Sequence, residues 1–333
     1  MSRTGDGNVV ENVATMSVGS TRILRTIRNN LHNFGLPIAL LILIVIFAMK
    51  SDLFLTARNL RNVGLQAAAL AAVSFGQTVV ILTGGLDLSV GAIVALVSVL
   101  TAMGIVAFDM PTGIALGLLA GLTVGLANGI LVTRFRVFPF IATLAMMSVV
   151  GGLALKLSDG TPIAGLPVEF SLIASTRILG VPLPVGISLV LLLGVFLFLQ
   201  YTRIGRNIYA VGGNPQAAHL AGINTQALVT LAYVISAFCA SMGAIILSAR
   251  VGSGQPTLGA SLPLESVAAV VLGGVSLFGG RGSVLNVALG VAFVSLLSNG
   301  LNLLNVSSYT QMIVIGAALM IAVALDQRLV ARR

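Results

Sequence analysis

The sequence predicts an all-α polytopic membrane protein of about ten transmembrane helices (8–10), some short or broken, with both termini cytoplasmic. Three observations carry this. Of 333 residues, 57% are hydrophobic and only 8% are charged, against about a quarter charged in soluble domains. The apolar residues gather into runs long enough to cross a bilayer, about 20 residues each. The basic residues, nearly all arginine, gather in alternate loops between those runs.

The runs, in order, are Asn33–Met49, Asn62–Leu82, Leu88–Ala107, Thr112–Val132, Phe138–Leu155, Pro184–Tyr201, Gln226–Ser248, Leu264–Leu277, Ser283–Leu301 and Tyr309–Leu325. The eighth is short and rich in glycine, which suggests a re-entrant or broken segment. Residues 1–32 are polar and form a disordered cytoplasmic tail in this reading. Arg22, Arg25 and Arg28 precede the first run, which lacks a cleavage site and reads as an uncleaved signal-anchor. Residues 33–326 form one transmembrane domain, and 327–333 a basic cytoplasmic C-terminus.

Short cytoplasmic loops collect Arg and Lys. With the N-terminus inside, Arg134 and Arg136, Arg203 and Arg206, Arg281, and the terminal Arg328, Arg332 and Arg333 all fall inside. Lys50, Arg58, Arg61, Arg177 and Arg250 fall outside and break the pattern. The net charge of +9 is thus a topology signal, and no basic soluble domain exists to hold nucleic acid. The two long loops are 156–183, outside and with several prolines, and 202–225, inside. Neither is long enough for a catalytic domain.

Single residues sharpen the picture. Gly117, Gly121, Gly125 and Gly129 recur every four residues and give one smooth helix face for close packing within the subunit, a dimer face being the alternative. In VVILTGGLDLSVGAIVAL, Asp87 follows Gly84 and Gly85 and precedes Ser89 and Gly91. At the cytoplasmic turn between two spans it reads as a cap for the third helix. A proton or cation site is the sharper alternative. TGGLDLSVG and LGGVSLFGG share a GGxxL core, a weak internal repeat of the kind transporters contain. Glu265 reads as a cap at the outer end of the eighth run.

In GGNPQAAHLAGI, Asn214 is placed as an N-cap, Pro215 at the first helical position and Gly222 as the stop. A helix of about two turns, lying along the membrane on a minimal inner surface, suits docking of a partner. His219 lies on it, and His32 is the other histidine. The single cysteine, Cys239, excludes an internal disulfide, and there is no phosphate-binding loop, H-E-x-x-H or other catalytic set.

These stretches, with FIATLAMM, RIGRNIYAVGGNPQAAHLAGIN, SARVGSGQPTLG, LESVAAVVLGGVSLFGGRGSV and NGLNLLNVSSYTQMIV, make the chain from about Leu53 to Leu325 resemble the permease subunits of ribose-type bacterial ABC importers. The resemblance implies a multi-pass protein of the bacterial inner membrane that is not itself an enzyme and binds no cofactor. A second permease copy or a paralogue pairs with it, ATP and Mg are held by separate ATPase chains, and a periplasmic binding protein delivers a monosaccharide or related small polar solute. It also implies that Arg206 to Gly222, including Gly212, Gly213, Asn214, Pro215, Ala217, Ala218 and Leu220, couples to the ATPase. Asn128, Asn299, Asn302 and Asn305 lie in or near apolar segments, where they either line the solute path or bond neighbouring helices. The competing function is an ion-driven secondary transporter, which would need buried acids or unwound helices at an ion site.

Overall fold

The computed structural model describes residues 35–330, with side chains through residue 321. The tail over 1–32, with His32, and the terminal Arg332 and Arg333 lie outside the described residues. The chain runs through α1 (Gly35–Lys50), α2 (Ala57–Leu82), α3 (Val90–Ala107), α4 (Met110–Thr133), α5 (Pro139–Leu157) and α6 (Val168–Ser175). A two-residue hairpin follows, β1 (Arg177–Ile178) antiparallel to β2 (Val181–Pro182), with Arg177 opposite Pro182. Then come α7 (Leu183–Tyr201), α8 (Arg203–Gly213), α9 (Pro215–Leu220), α10 (Thr225–Val251), α11 (Leu262–Leu272), α12 (Val284–Leu303) and α13 (Ser308–Val330). Among the described residues, seven helices are long and apolar enough to span a membrane: α2, α3, α4, α5, α7, α10 and α12.

Helix starts follow from short polar side chains and prolines. Thr56, Asp109, Thr202, Asn214 and Asn224 each accept a backbone N–H three residues ahead, at 2.8–3.3 Å. These bonds satisfy donors that the first helical turn leaves free. The prolines Pro111, Pro139, Pro184, Pro215 and Pro263 stand within the first two helical positions, where a missing N–H costs nothing.

α2, α3 and α10 form the buried centre. Phe75, Val79, Ile81, Ile93, Val97, Val99 and Ala237 are enclosed there. α1, α5 and α7 carry Leu41, Ile42, Ile141, Val149, Val190 and Leu193 on open faces, the surface that hydrocarbon would cover. α4 packs along α3 and α10 through its glycine stripe. A Cβ on Gly117 would strike the Thr101 hydroxyl, and one on Gly121 the Ser241 hydroxyl. At Gly125 it would lie 2.5 Å from Ala237 Cβ, and at Gly129 2.7 Å from Thr230 Cα. The stripe is therefore occupied within the subunit.

Three expectations change, and the eighth run is short as expected. The second span begins at Ala57, earlier than expected, because Thr56 caps it; Arg58 and Arg61 thus ride on its first turns. The 202–225 loop is mostly helical, as α8 and α9. The 156–183 loop carries α6 and the hairpin, and Ile163 pairs its backbone with Gly254 at 2.7 and 2.9 Å. The eighth run resolves into α11, whose eleven residues reach only about 16 Å, half of a bilayer core of about 30 Å.

The chain between α10 and α11 makes up the missing depth. Gln255 N–H donates to Ser98 Oγ at 3.0 Å, and a Cβ on Gly91 would lie 2.7 Å from the Gly259 carbonyl and 2.9 Å from the Pro263 ring. Residues 252–261 therefore run down α3 from Ser98 to Gly91, about 10 Å along the helix axis, before α11 begins inside the bundle.

Candidate functional site

The α8–α9 end of the bundle is built on backbone contacts. α2 ends in a reversal at Gly84 (φ +80°), and Gly85 N–H returns to the Val80 carbonyl at 3.2 Å. α11 ends the same way at Gly274 (φ +78°), with Val275 N–H returning to the Val270 carbonyl at 3.2 Å. Both are the left-handed helix ends that glycine favours. The two GG motifs are thus conformational counterparts, but one residue out of the register in which their letters align.

The end of α8 lies between the end of α2 and the loop that joins α11 to α12. Gly280 N–H donates to the Leu82 carbonyl at 2.9 Å. A Cβ on Gly212 would strike that same carbonyl oxygen, and one on Gly280 would lie 2.6 Å from Gly213 N. Glycine at 212, 279 and 280 lets three backbones stack. Tyr209 Oη donates to the Gly282 carbonyl at 3.1 Å and locks α8 to the same loop. Burial pushes its phenol pKa up, so it stays a neutral donor.

α9 projects beyond this anchor. Asn214 Oδ1 accepts from Ala217 N–H at 3.0 Å, and Gly222 (φ +81°) turns the chain away. Ala218 is buried against the body, whereas Leu220 is 87% exposed. Arg206, Gly213, Pro215 and Ala217 are exposed as well. The result is a braced, protruding helix with an apolar tip.

Asp87 is 0% exposed. The sequence placed it at a surface turn, which holds for Gly84 but not for Asp87. After Gly84 the chain climbs back into the bundle and brings Asp87 beside Gln77, five residues inside the end of α2, about 7.5 Å deep. With the Gln77 amide oriented by its hydrogen bonds, Nε2 donates to the Asp87 carbonyl at 3.2 Å and Oε1 accepts the Asp87 N–H at 3.3 Å. Asp87 Oδ1 accepts Ser89 N–H at 3.0 Å and Ser89 Oγ–H at 2.6 Å, and Oδ2 accepts Ser236 Oγ–H at 3.1 Å. Asn128 Nδ2 donates to Ser89 Oγ at 2.8 Å. The carboxylate is therefore not the cap of α3, whose N-cap is Ser89; it braces the turn before α3 and ties it to α10, with Ser89 linking on to α4.

The four asparagines do not converge. Asn128 belongs to the Asp87 junction. Asn299 and Asn59 exchange amide hydrogen bonds at 2.8 and 2.9 Å between α12 and α2. Asn302 Oδ1 accepts Gln311 Nε2–H at 2.7 Å, and Asn305 is an exposed turn residue at φ +55°. At the end opposite α8–α9, Arg61, Arg177 and Arg250 surround a cavity of about 480 Å³. Three of the five outside exceptions to the charge pattern are thereby brought together. Sequence reasoning missed Gly279, Gly280, Tyr209, Gln77 and Ser236; only the unusual glycine density near Gly280 was a visible signal.

Residues 59–323 match the family model described as branched-chain amino acid transport system / permease component. The chain is 40% identical over 317 residues to a ribose import permease protein of Bacillus subtilis, covering 92% of this chain and 98% of the relative. The chain belongs to the ribose-type ABC importer permeases. Another ribose import permease, of Escherichia coli, is 41% identical over 87% of the chain and 92% of its own length. A D-allose transport system permease of Escherichia coli is 34% identical over 88% and 91%. No solved structure matches the chain. As a ribose-type permease the chain is a multi-pass inner-membrane transport subunit of an ATP-driven importer, not an enzyme, and the ATPase is a separate subunit in these systems.

Proposed function

We propose that this permease imports a monosaccharide or related small polar solute, with both termini and the α8–α9 end in the cytoplasm. Residues 33–326 act as one permease domain, with 156–183 as its periplasmic loop. α9 and the end of α8, from Arg206 to Gly222, couple to an ATPase chain that holds ATP and Mg. A second permease copy or a paralogue completes the pathway, and a periplasmic binding protein delivers the solute to the opposite face. The relatives' names, ribose and D-allose, support the solute class.

The observation that carries the coupling role is the stacked backbone of Gly212, Gly280 and Leu82 beneath a protruding α9. A force on α9 is passed to the end of α2 and, through the α11–α12 loop, to the end of α11 without a flexible side chain at the stacked contact. ATP-driven closure of the ATPase pair then moves both helix ends and switches the pathway between its outward-open and inward-open states. Asp87 holds α3 and α10 together through this motion.

Gly213→Trp tests the assignment. A Cβ at Gly213 meets nothing within 4 Å, so the indole enters open space and the fold persists. The variant should insert and purify normally, yet hydrolyse ATP without solute uptake. Normal coupling in this variant would remove the docking assignment.

A further inference from the structure

A second cavity, of about 260 Å³, lies between α2, α10, α11 and α12. Its wall includes Gln66, Arg250, Glu265, Ser295 and Ser298. Leu70 and Val294 supply part of its apolar side. Gln66 lies sixteen residues before Leu82, about 24 Å along α2, and Leu70 about 18 Å. The cavity therefore sits near mid-bundle. Arg250 lines both this cavity and the outer arginine-lined one, so the two share a wall.

Two independent features mark it as a ligand site. The first is the N-terminus of α11, which starts inside the bundle and has Ser261 as its N-cap without a side-chain cap bond. Half-helices that begin at mid-depth can offer backbone N–H groups to polar solutes; here the Gly259 and Ser261 carbonyls take the Leu262 and Glu265 N–H groups and Pro263 has none, which leaves the Leu264 N–H. The second is Ser295, which is 2% exposed and whose Oγ has no hydrogen-bond partner. A buried hydroxyl left without a partner is costly, and this one belongs to a residue of the cavity wall.

We infer that this cavity is a transit site for a neutral polyhydroxylated solute. This rests on the importer reading above and adds the location and the contact residues. The lining offers one carboxylate, one guanidinium, one amide and serine hydroxyls, beside Leu70 and Val294. Glu265 accepts from solute hydroxyls and Arg250 donates to them. Opposite charges on the same wall favour a solute with both donors and acceptors and no net charge. The apolar residues face the C–H surface of a ring. The volume falls below the range of drug-sized pockets, about 300–1,000 Å³, as suits a single small ring. Asn299 and Asn302, by contrast, already bond protein partners.

The test uses the complete transporter, with its ATPase and binding protein, in proteoliposomes and D-ribose and D-allose as probes. Wild type should accumulate at least one of them; uptake of neither overturns the importer reading itself. With the transported aldose, Glu265→Gln should lower uptake by about tenfold or more, the loss expected for hydrogen bonds to a charged group. Ser295→Leu, which fills the cavity, should do the same, and both variants should still co-purify the ATPase. In Ser298→Cys, saturating aldose should slow modification by a membrane-impermeant thiol reagent added from outside. Uptake within about twofold of wild type, the scale of neutral substitutions, in both Glu265→Gln and Ser295→Leu would overturn the site. So would thiol modification that the sugar leaves unchanged.

Discussion

Replacing Asp87 separates a structural carboxylate from a titrating one. Asp87→Ala removes the acceptor for Ser89 N–H, Ser89 Oγ–H and Ser236 Oγ–H, now held at 3.0, 2.6 and 3.1 Å. Loss of the acceptor that holds the turn before α3 costs about 1 kcal/mol. Each buried donor left unsatisfied costs about 1–3 kcal/mol. The two hydroxyls recover part of this by rotating, and relief of the buried charge offsets more. A net loss of about 2–5 kcal/mol follows, a large share of a typical stability of about 5–15 kcal/mol. Asp87→Asn keeps the shape. Its oxygen accepts both Ser89 bonds, and its amide donates to Ser236, whose hydroxyl reverses. That loss should stay near 1 kcal/mol. Thermal melts in detergent, with uptake by the reconstituted transporter, read both effects. Asp87→Asn should melt close to wild type and transport at a comparable rate, whereas Asp87→Ala should lose its monodisperse form. A well-folded Asp87→Asn that transports nothing would refute this reasoning and make Asp87 a proton or cation site.

Other perturbations have graded outcomes. Gly125→Val pushes side-chain atoms into Ala237 and Tyr233 of α10 and should lower folded yield by a cost of about 1–3 kcal/mol or more. Gly152→Ala, where a Cβ meets nothing within 4 Å, should leave the yield unchanged; yields read by fluorescence-detected chromatography compare the two. Tyr209→Phe removes the bond to the Gly282 carbonyl and should cost about 1 kcal/mol in a melt while loosening coupling between ATP hydrolysis and uptake. Arg61 lies in the first turns of α2, where no acidic residue accompanies it and the helix dipole disfavours a cation. Arg61→Glu, together with Arg177→Glu, should therefore weaken stimulation of ATP hydrolysis by the binding protein without lowering folded yield.

The parts legible in the sequence were those governed by local chemistry. Apolar runs, proline at helix starts and the four-residue glycine spacing each have a cause within a turn or two of chain. Asn214 could be read as a cap because its bond spans three residues. The depth of Asp87 could not, because it depends on Gln77 in the preceding helix and Ser236 some 150 residues away. The α8 anchor was hidden for the same reason, since Gly212, Gly280 and Leu82 meet only after the chain has folded. The GG repeat was visible but out of register, because letters align by identity whereas helix ends align by the left-handed residue. α8 itself was masked by its glycines, which lower helix propensity yet permit the close stacking at Gly212.

The central claim is that α9 is the contact through which an ATPase chain drives this permease. Purification from native membranes in mild detergent, read by mass spectrometry, tests it most directly when wild type is compared with Leu220→Asp. An abundant ATPase with a phosphate-binding loop should accompany wild type and be lost from the variant, which still folds because Leu220 is exposed. Wild type emerging alone, from membranes whose other transporter complexes survive the same detergent, would contradict it. An ATPase retained undiminished by Leu220→Asp would place the contact elsewhere.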